Sequence, residues 1–236
     1  MTDKEYYDLV QPYHDAMKLL LTRLEVLNHT IYPSAASNPV HTVQSRIKKK
    51  ASIEEKLMHR GLEPTVDNAK NVLQDIAGVR IVCYFTGDIH NLVNILKKQP
   101  DLIFIRERDY IENPKPNGYR SYHIIFGVNV CCLDAVEYFP VEIQFRTISM
   151  DFWAAMEHRV SYKKAYANKA QRVEELLRYS NTLEEMEKEF EKYNDAGMLK
   201  LVSEDIKDFY ELTDLEQYSE ETGLNLEVDC GMAVWL

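Results

Sequence analysis

Read by the spacing of its apolar positions, the chain opens with a helix, alternates strands and helices, and then turns wholly helical. Within residues 3–28, Leu9, Tyr13, Met17, Leu20, Leu24 and Leu27 recur at three- and four-residue steps, the period of one buried helical face. A polar stretch with Pro33, Ser34, Ser37 and Pro39 ends that helix. Arg46 and Lys48 then alternate around Ile47 as on a short strand, and Ser52 stands where it can cap a helix, with Glu55 at the capping-box position. Gly61 and Pro64 break the chain before a short helix toward Leu73. Val79, Ile81, Cys83 and Phe85 alternate with Arg80, Val82 and Tyr84 in a β-branched run that predicts a core strand. Gly87 and Asp88 open an amphipathic helix to Lys97, and 102–107, 121–130 and 138–147 read as strands. Helical spacing returns with a helix beginning over 151–158, a second over 171–193 and a third over 204–221. Asn194, Gly197, Thr222 and Gly223 mark breaks, and 224–236 fits either a strand or a docked tail. Leu176, Leu183, Met186, Phe190 and Tyr193 form a helical stripe that reads as packing or oligomerisation. The order predicts an α/β (α+β) fold: an N-terminal helix over 1–30, a mixed domain over 40–165, and C-terminal helices with an acidic tail over 166–236.

Chemistry gathers on a few of these elements. In the last strand Val141, Ile143 and Phe145 form one apolar face, while Glu142, Gln144 and Arg146 place a carboxylate, an amide and a guanidinium on the other. That pattern fits a surface edge strand or the floor of a polar site. With Asp75 ahead of its own strand, Asp75 and Glu142 could share a divalent cation, since two hard carboxylates plus substrate phosphates suit Mg²⁺. Arg46, Lys48 and Lys56 flank a helix N-terminus, where free N–H groups and the dipole favour anions; the plain alternative is a solvated charge run. In the loop before His123, Pro114 and Pro116 stiffen the entry and Gly118 permits φ > 0. Alternation then puts Tyr119, Ser121 and His123 on one strand face, with Lys115 and Arg108 close in sequence. His14 and Asp15, with no further His/Asp set, read as an exposed polar pair.

Composition changes the picture in two respects. At 45% hydrophobic and 28% charged, with no apolar run of bilayer length and no signal-type N-terminus, the chain reads as a cytoplasmic globular protein without a membrane partner. Cys83, Cys131, Cys132 and Cys230 lack CxxC spacing and read as reduced structural thiols. The net charge of −10 is unevenly spread: from Glu174 onward 18 acidic and 5 basic residues give −13, leaving +3 for the rest. A mildly basic body suits anionic small molecules better than a large nucleic-acid footprint, and RNA binding is not indicated.

Arg46-x-Lys48, Asp75-Ile-Ala-Gly-Val-Arg80, Lys115-x-x-Gly-Tyr-Arg-Ser-x-His123, Val141-Glu-Ile-Gln-x-Arg-Thr147 and Phe152-Trp-Ala-x-x-Glu-His158 together resemble the synthetase domain of the RelA/SpoT family, over roughly 13–162. The chain looks like a stand-alone small alarmone synthetase. The resemblance implies a nucleotidyltransferase-like mixed sheet flanked by helices, and pyrophosphate transfer from ATP to the ribose 3′-hydroxyl of GDP or GTP. The products would be AMP and ppGpp or pppGpp. By resemblance, Arg46 and Arg80 flank adenine, Lys48, Ser52 and Lys56 hold the ATP phosphates, and Asp75 and Glu142 bind Mg²⁺, with Glu142 also taking the 3′-hydroxyl proton. Tyr119 stacks on guanine, Lys115, Arg108 and His123 meet the acceptor phosphates, and Gln144 orients the acceptor. A homotetramer is implied, with no hydrolase domain and no alarmone degradation. Leu21, Glu25, Asn28 and Thr42 stand where some tetrameric members carry basic residues and an aromatic, so product activation between subunits is not implied. Pyrophosphate transfer to GMP, an adenosine nucleotide or the tRNA 3′ end stays open, as does a non-catalytic nucleotide- or RNA-binding regulator. An ordinary nucleotidyltransferase is disfavoured, since its Gly-Ser turn and Asp-x-Asp pair are missing.

Overall fold

In a computed structural model, residues 1–31, 38–131, 136–161 and 169–212 are described. Helix α1 (Asp3–Ile31) precedes strand β1 (Val40–Ile47), helices α2 (Lys50–Met58) and α3 (Val66–Val72), strand β2 (Ala77–Cys83) and helix α4 (Thr86–Lys97). Strands β3 (Leu102–Asp109), β4 (Tyr122–Cys131) and β5 (Val136–Thr147) follow, then helices α5 (Ile148–Ser161) and α6 (Lys169–Leu212). The strands form one five-stranded sheet in the order β1-β2-β5-β4-β3, with β2 and β5 parallel and the other pairs antiparallel. This is the mixed α+β architecture the apolar pattern predicts.

The pleat sends alternate residues to opposite faces. One face carries Val79, Ile81, Ile124, Phe126, Val141, Ile143 and Phe145, all in the main hydrophobic core. α1 lays Leu9, Tyr13, Ala16, Met17 and Leu20 into this core, and α4 adds Ile89, Leu92, Val93 and Leu96. Burying each such aliphatic side chain stabilises the fold by about 1.5–3 kcal/mol, so this layer fixes the sheet from behind and leaves the other face free for polar groups.

Two local expectations are corrected. Lys49, not Ser52, is the N-cap of α2, and no side chain caps that end. Pairing carries β1 to Ile47, and the Lys48 N–H then bonds the Ile76 carbonyl at 2.8 Å, so the helix begins at once and Ser52 falls inside its first turn. Asn194 and Gly197 do not interrupt the helix; α6 runs through them to Leu212, joining the helix expected over 171–193 to the described part of the one expected over 204–221. A glycine inside a helix costs only about 1 kcal/mol. The expected break at Thr222 and Gly223 and the stretch 224–236 lie outside the described residues.

The chain divides into two compact units, Met1–Lys188 and Glu189–Leu236. The first holds the sheet and α1–α5; in the second the described backbone is helical. Among the described residues, Cys83 is buried and Cys131 exposed, both unbridged. No described helix is long and apolar enough to cross a membrane.

Candidate active site

Strand register assembles the site. Gln44, Arg80, Gln144, His123 and Arg108 are successive partners across all five strands, a polar row running the width of the sheet. The adjacent row is Arg46, Gly78, Glu142, Ile125 and Arg106. Both rows face away from the α1 and α4 core because each residue is two positions from its neighbour on the same strand. Gly78 keeps the floor open between Arg46 and Glu142; a Cβ there would meet only the Glu142 carbonyl oxygen, at 3.9 Å. Gln44, Arg46, Asp75, Gly78, Arg80, Glu142 and Gln144 line one cleft.

Asp75 enters this cleft from the segment between α3 and β2. Lys48 and Lys56 both donate to its Oδ2, at 2.5 and 2.6 Å, while Oδ1 is buried with no protein partner. Burial alone would raise the Asp75 carboxyl, but the hydrogen bonds and charges of the two lysines outweigh it and hold the pKa below the ordinary value. Glu142 accepts from Gln144 Nε2 at 2.8 Å and lies 3.4 Å from His123 Nδ1. Burial pushes its carboxyl up, the His123 bond and charge and the Gln144 amide pull it down further, and the net shift is downward despite the neighbouring Asp75 charge. Both carboxylates are therefore ionised at neutral pH.

The proline-rich loop builds the other side. Gly118, at φ +89, closes a turn by donating to the Lys115 carbonyl at 2.8 Å. Tyr119 is thereby set with its hydroxyl 2.9 Å from His123 Nε2 and accepting from Arg146 Nη2 at 3.1 Å. Lys115 Nζ stands 4.7 Å from the centre of the Tyr119 ring and 5.0 Å from that of Tyr110. Tyr110 packs edge-on against His123 and accepts from Arg108 at 3.2 Å. Ser121 departs from expectation: it is fully buried and donates to the Phe145 carbonyl at 2.8 Å. Strand pairing begins only at Tyr122, so Tyr119 reaches His123 through the loop and not by strand alternation.

Sequence reasoning therefore finds residues that the fold brings together. Lys48 and Lys56 meet Asp75; Arg80, Gln144, His123 and Arg108 share one row; Lys115 and Tyr119 stack beside His123. Arg46 is exposed at the cleft rim and Ser52 on the exposed side of α2. What it missed is the clamp at the end of β5: Asp151 accepts from Arg146 Nη1 at 2.9 Å and pairs with Arg80 Nη1 at 3.3 Å. Arg80, Asp151, Arg146 and Tyr119 thus form a continuous polar chain across the site. The period-two run Glu142, Gln144, Arg146 pointed to Arg146, but no local signal pairs Asp151 with Arg80. Leu21, Glu25, Asn28 and Thr42 line a second, mostly apolar cleft bounded by α1, β1 and α4.

Among the described residues no group of three or more His, Cys, Asp and Glu could by itself hold a metal ion. Two carboxylates, one with a buried oxygen lacking a protein partner, instead fit a Mg²⁺ that takes its remaining ligands from water and phosphate oxygens.

Residues 45–167, just over half of the chain, match the family described as the region found in RelA / SpoT proteins. The chain belongs to the RelA/SpoT family. It is 45% identical over 151 residues to GTP pyrophosphokinase YwaC of Bacillus subtilis (strain 168), spanning 64% of this chain and 72% of that protein. To GTP pyrophosphokinase YjbM of the same organism it is 34% identical over 163 residues, 69% of this chain and 76% of the relative. The fold superimposes on the crystal structure of small alarmone synthetase 1 from Bacillus subtilis bound to its product pppGpp, with a TM-score of 0.73 at 30% identity, covering 82% of this chain and 98% of that one. Small alarmone synthetase 2 from Bacillus subtilis gives a TM-score of 0.71 at 36% identity, covering 81% and 99%. The RelA/SpoT region takes in every residue of the two polar rows except Gln44, together with Asp75 and the Tyr119 loop, and leaves α1 and α6 outside.

Proposed function

We propose that this chain is a GTP pyrophosphokinase: it transfers the β,γ-pyrophosphoryl group of ATP to the ribose 3′-hydroxyl of GDP or GTP, giving AMP and ppGpp or pppGpp. The observation that carries this reading is two ionised carboxylates, Asp75 and Glu142, lining one cleft with separate cationic groups on either side of them. Such transfer needs positioning and charge neutralisation more than covalent help.

Arg46 and Arg80 flank adenine, planar cations against a planar base. Lys48, Lys56 and Ser52 take the ATP phosphates, which compete with Asp75 Oδ2 for the two ammonium groups. Asp75 and Glu142 would hold Mg²⁺, which when bound neutralises phosphate charge. On the acceptor side Tyr119 stacks on guanine, and Lys115, Arg108 and His123 meet the acceptor phosphates. Gln144, hydrogen-bonded to Glu142, orients the ribose. The 3′-oxygen attacks the β-phosphorus, the bond from that phosphorus to the α–β bridging oxygen breaks, and AMP leaves. Glu142, ionised and unable to donate, accepts the 3′-hydroxyl proton. The exposed Phe152 and Met156 of α5 and Met186, Phe190 and Tyr193 of α6 offer apolar area for a homotetramer working in the cytoplasm.

The test is product analysis with ATP, Mg²⁺ and each guanine nucleotide. The expected result is AMP released in step with a guanosine product bearing two phosphates from ATP. ADP as the product, or AMP release independent of acceptor, would overturn the assignment. Label appearing on GMP, an adenosine nucleotide or tRNA in place of GDP and GTP would replace the acceptor named here.

A further inference from the structure

The family match stops at residue 167, and α6 begins at Lys169, yet α6 is built into the back of the acceptor loop. Gly118 lies so close to it that a Cβ would fall 2.7 Å from Ser180 Cβ and 3.1 Å from Leu177 Cα. Ser180, only 5% exposed, donates its hydroxyl to the Gly118 carbonyl at 2.6 Å and accepts from Arg120 Nη1 at 2.6 Å. Arg120 Nη2 reaches Asn181 Oδ1 at 3.2 Å and Glu184 Oε2 at 2.5 Å. The residues immediately before and after Tyr119 are therefore both tied to one turn of α6.

That turn has its own foundation. Three residues on, Glu187 accepts from Thr86 at 3.0 Å, from Thr147 at 2.5 Å and from Ser149. On the preceding turn, the Leu176 carbonyl accepts from Trp153 Nε1 at 2.9 Å. α6 is thus pinned to the ends of β5 and α4 and to α5 independently of the loop it holds. Two anchors, one on each side of a residue, fix its Cα position and the direction of its side chain. Here the residue so fixed is Tyr119, whose ring stands in the acceptor half of the site. A displacement of about 1 Å at a substrate-positioning group can cost up to about 100-fold in rate.

We infer that residues 180–184 of α6 are a positioning element for the acceptor nucleotide, acting through Gly118 and Arg120 to place Tyr119. The inference rests on the guanine nucleotide being the acceptor at Tyr119. Neither Ser180 nor Glu184 touches the reacting atoms, and neither belongs to the hydrophobic core beneath the sheet. Their loss should therefore appear on one substrate only.

The experiment measures KM for ATP and for the guanine acceptor separately, with kcat and melting temperature, in wild type, Ser180→Ala and Glu184→Gln. Glu185→Gln, an exposed position on the same helix, is the control. The expected result is an acceptor KM raised about tenfold in both test variants, with ATP KM and melting temperature held near wild type and the control unchanged. Parallel loss on both substrates with a lowered melting temperature would assign these residues a purely structural role and overturn the inference. So would an unaltered acceptor KM in a variant whose wild type turns over GDP or GTP. If Ser180→Ala fails to fold, the partly exposed Glu184→Gln decides the matter alone. A wild type that transfers nothing to guanine nucleotides overturns the proposed function first, and this inference with it.

Discussion

Gly78 is the residue on which the shape of the cleft depends most simply. It sits in a strand between Arg46 and Glu142, with ordinary backbone angles and room for a methyl group. Replacing glycine by alanine where the conformation allows it stabilises a protein by about 0.4–1 kcal/mol through the unfolded chain. Gly78→Ala is therefore expected to melt no lower than wild type while losing most of its turnover, because the new methyl fills space over the floor. A variant that is destabilised, or fully active, would contradict that reading. Asp75 makes a second prediction at this scale. Its carboxyl is depressed in the folded state, so it contributes stability that is complete above the ordinary value of 3.8 and is lost as pH falls through the lower, folded value. Asp75→Asn should be less stable than wild type in urea at pH 7, with the gap closing as pH drops below 3.8. A gap independent of pH would show that the Lys48 and Lys56 bonds are not its source. Much of this was legible in sequence, because Glu142, Gln144 and Arg146 alternate on one strand and Lys48, Lys56 and Asp75 lie in recognisable motifs. The link from Arg80 through Asp151 to Arg146 was not, since it joins β2 to α5 by tertiary packing alone.

Among the elements, α1 and α6 lie outside the RelA/SpoT region and do different work. α1 supplies core. Leu20 is fully buried on it, and Leu20→Ala is expected to cost about 2–5 kcal/mol in urea unfolding while the remaining folded enzyme keeps its KM values. An exposed-residue cost of a few tenths would mean that α1 is not part of the core. α6 supplies position, through the contacts of Ser180, Glu184 and Glu187. The sequence showed both helices by their apolar spacing but split α6 in two, and it misplaced the cap of α2. Ser52 had the right neighbours for a capping box, yet strand pairing in β1 had already fixed where α2 starts. Gly197 looked like a stop, and the helix continues because one glycine is a weak penalty against the rest of the turn. The contacts between α6 and the acceptor loop had no sequence signal, because they join residues about 60 positions apart.

Across the whole molecule, a net charge of −10 conceals a body of +3, and Arg46, Arg80, Lys48 and Lys56 stand at the cleft that holds Asp75 and Glu142. Such a cleft draws in anionic nucleotides while the two carboxylates stay ionised between them. The core is on one side of the sheet and the chemistry on the other, so changes to the polar rows should alter rates far more than stability. The measurement that tests this most directly is transfer of label from γ-³²P ATP to GDP, with Mg²⁺, by wild type and by Glu142→Gln. Wild type should move label onto GDP with release of AMP. Glu142→Gln, folded and still binding ATP, should fall by about 100-fold or more, the range of a lost general base. A Glu142→Gln enzyme that transfers label at near the wild-type rate would contradict the account at its centre.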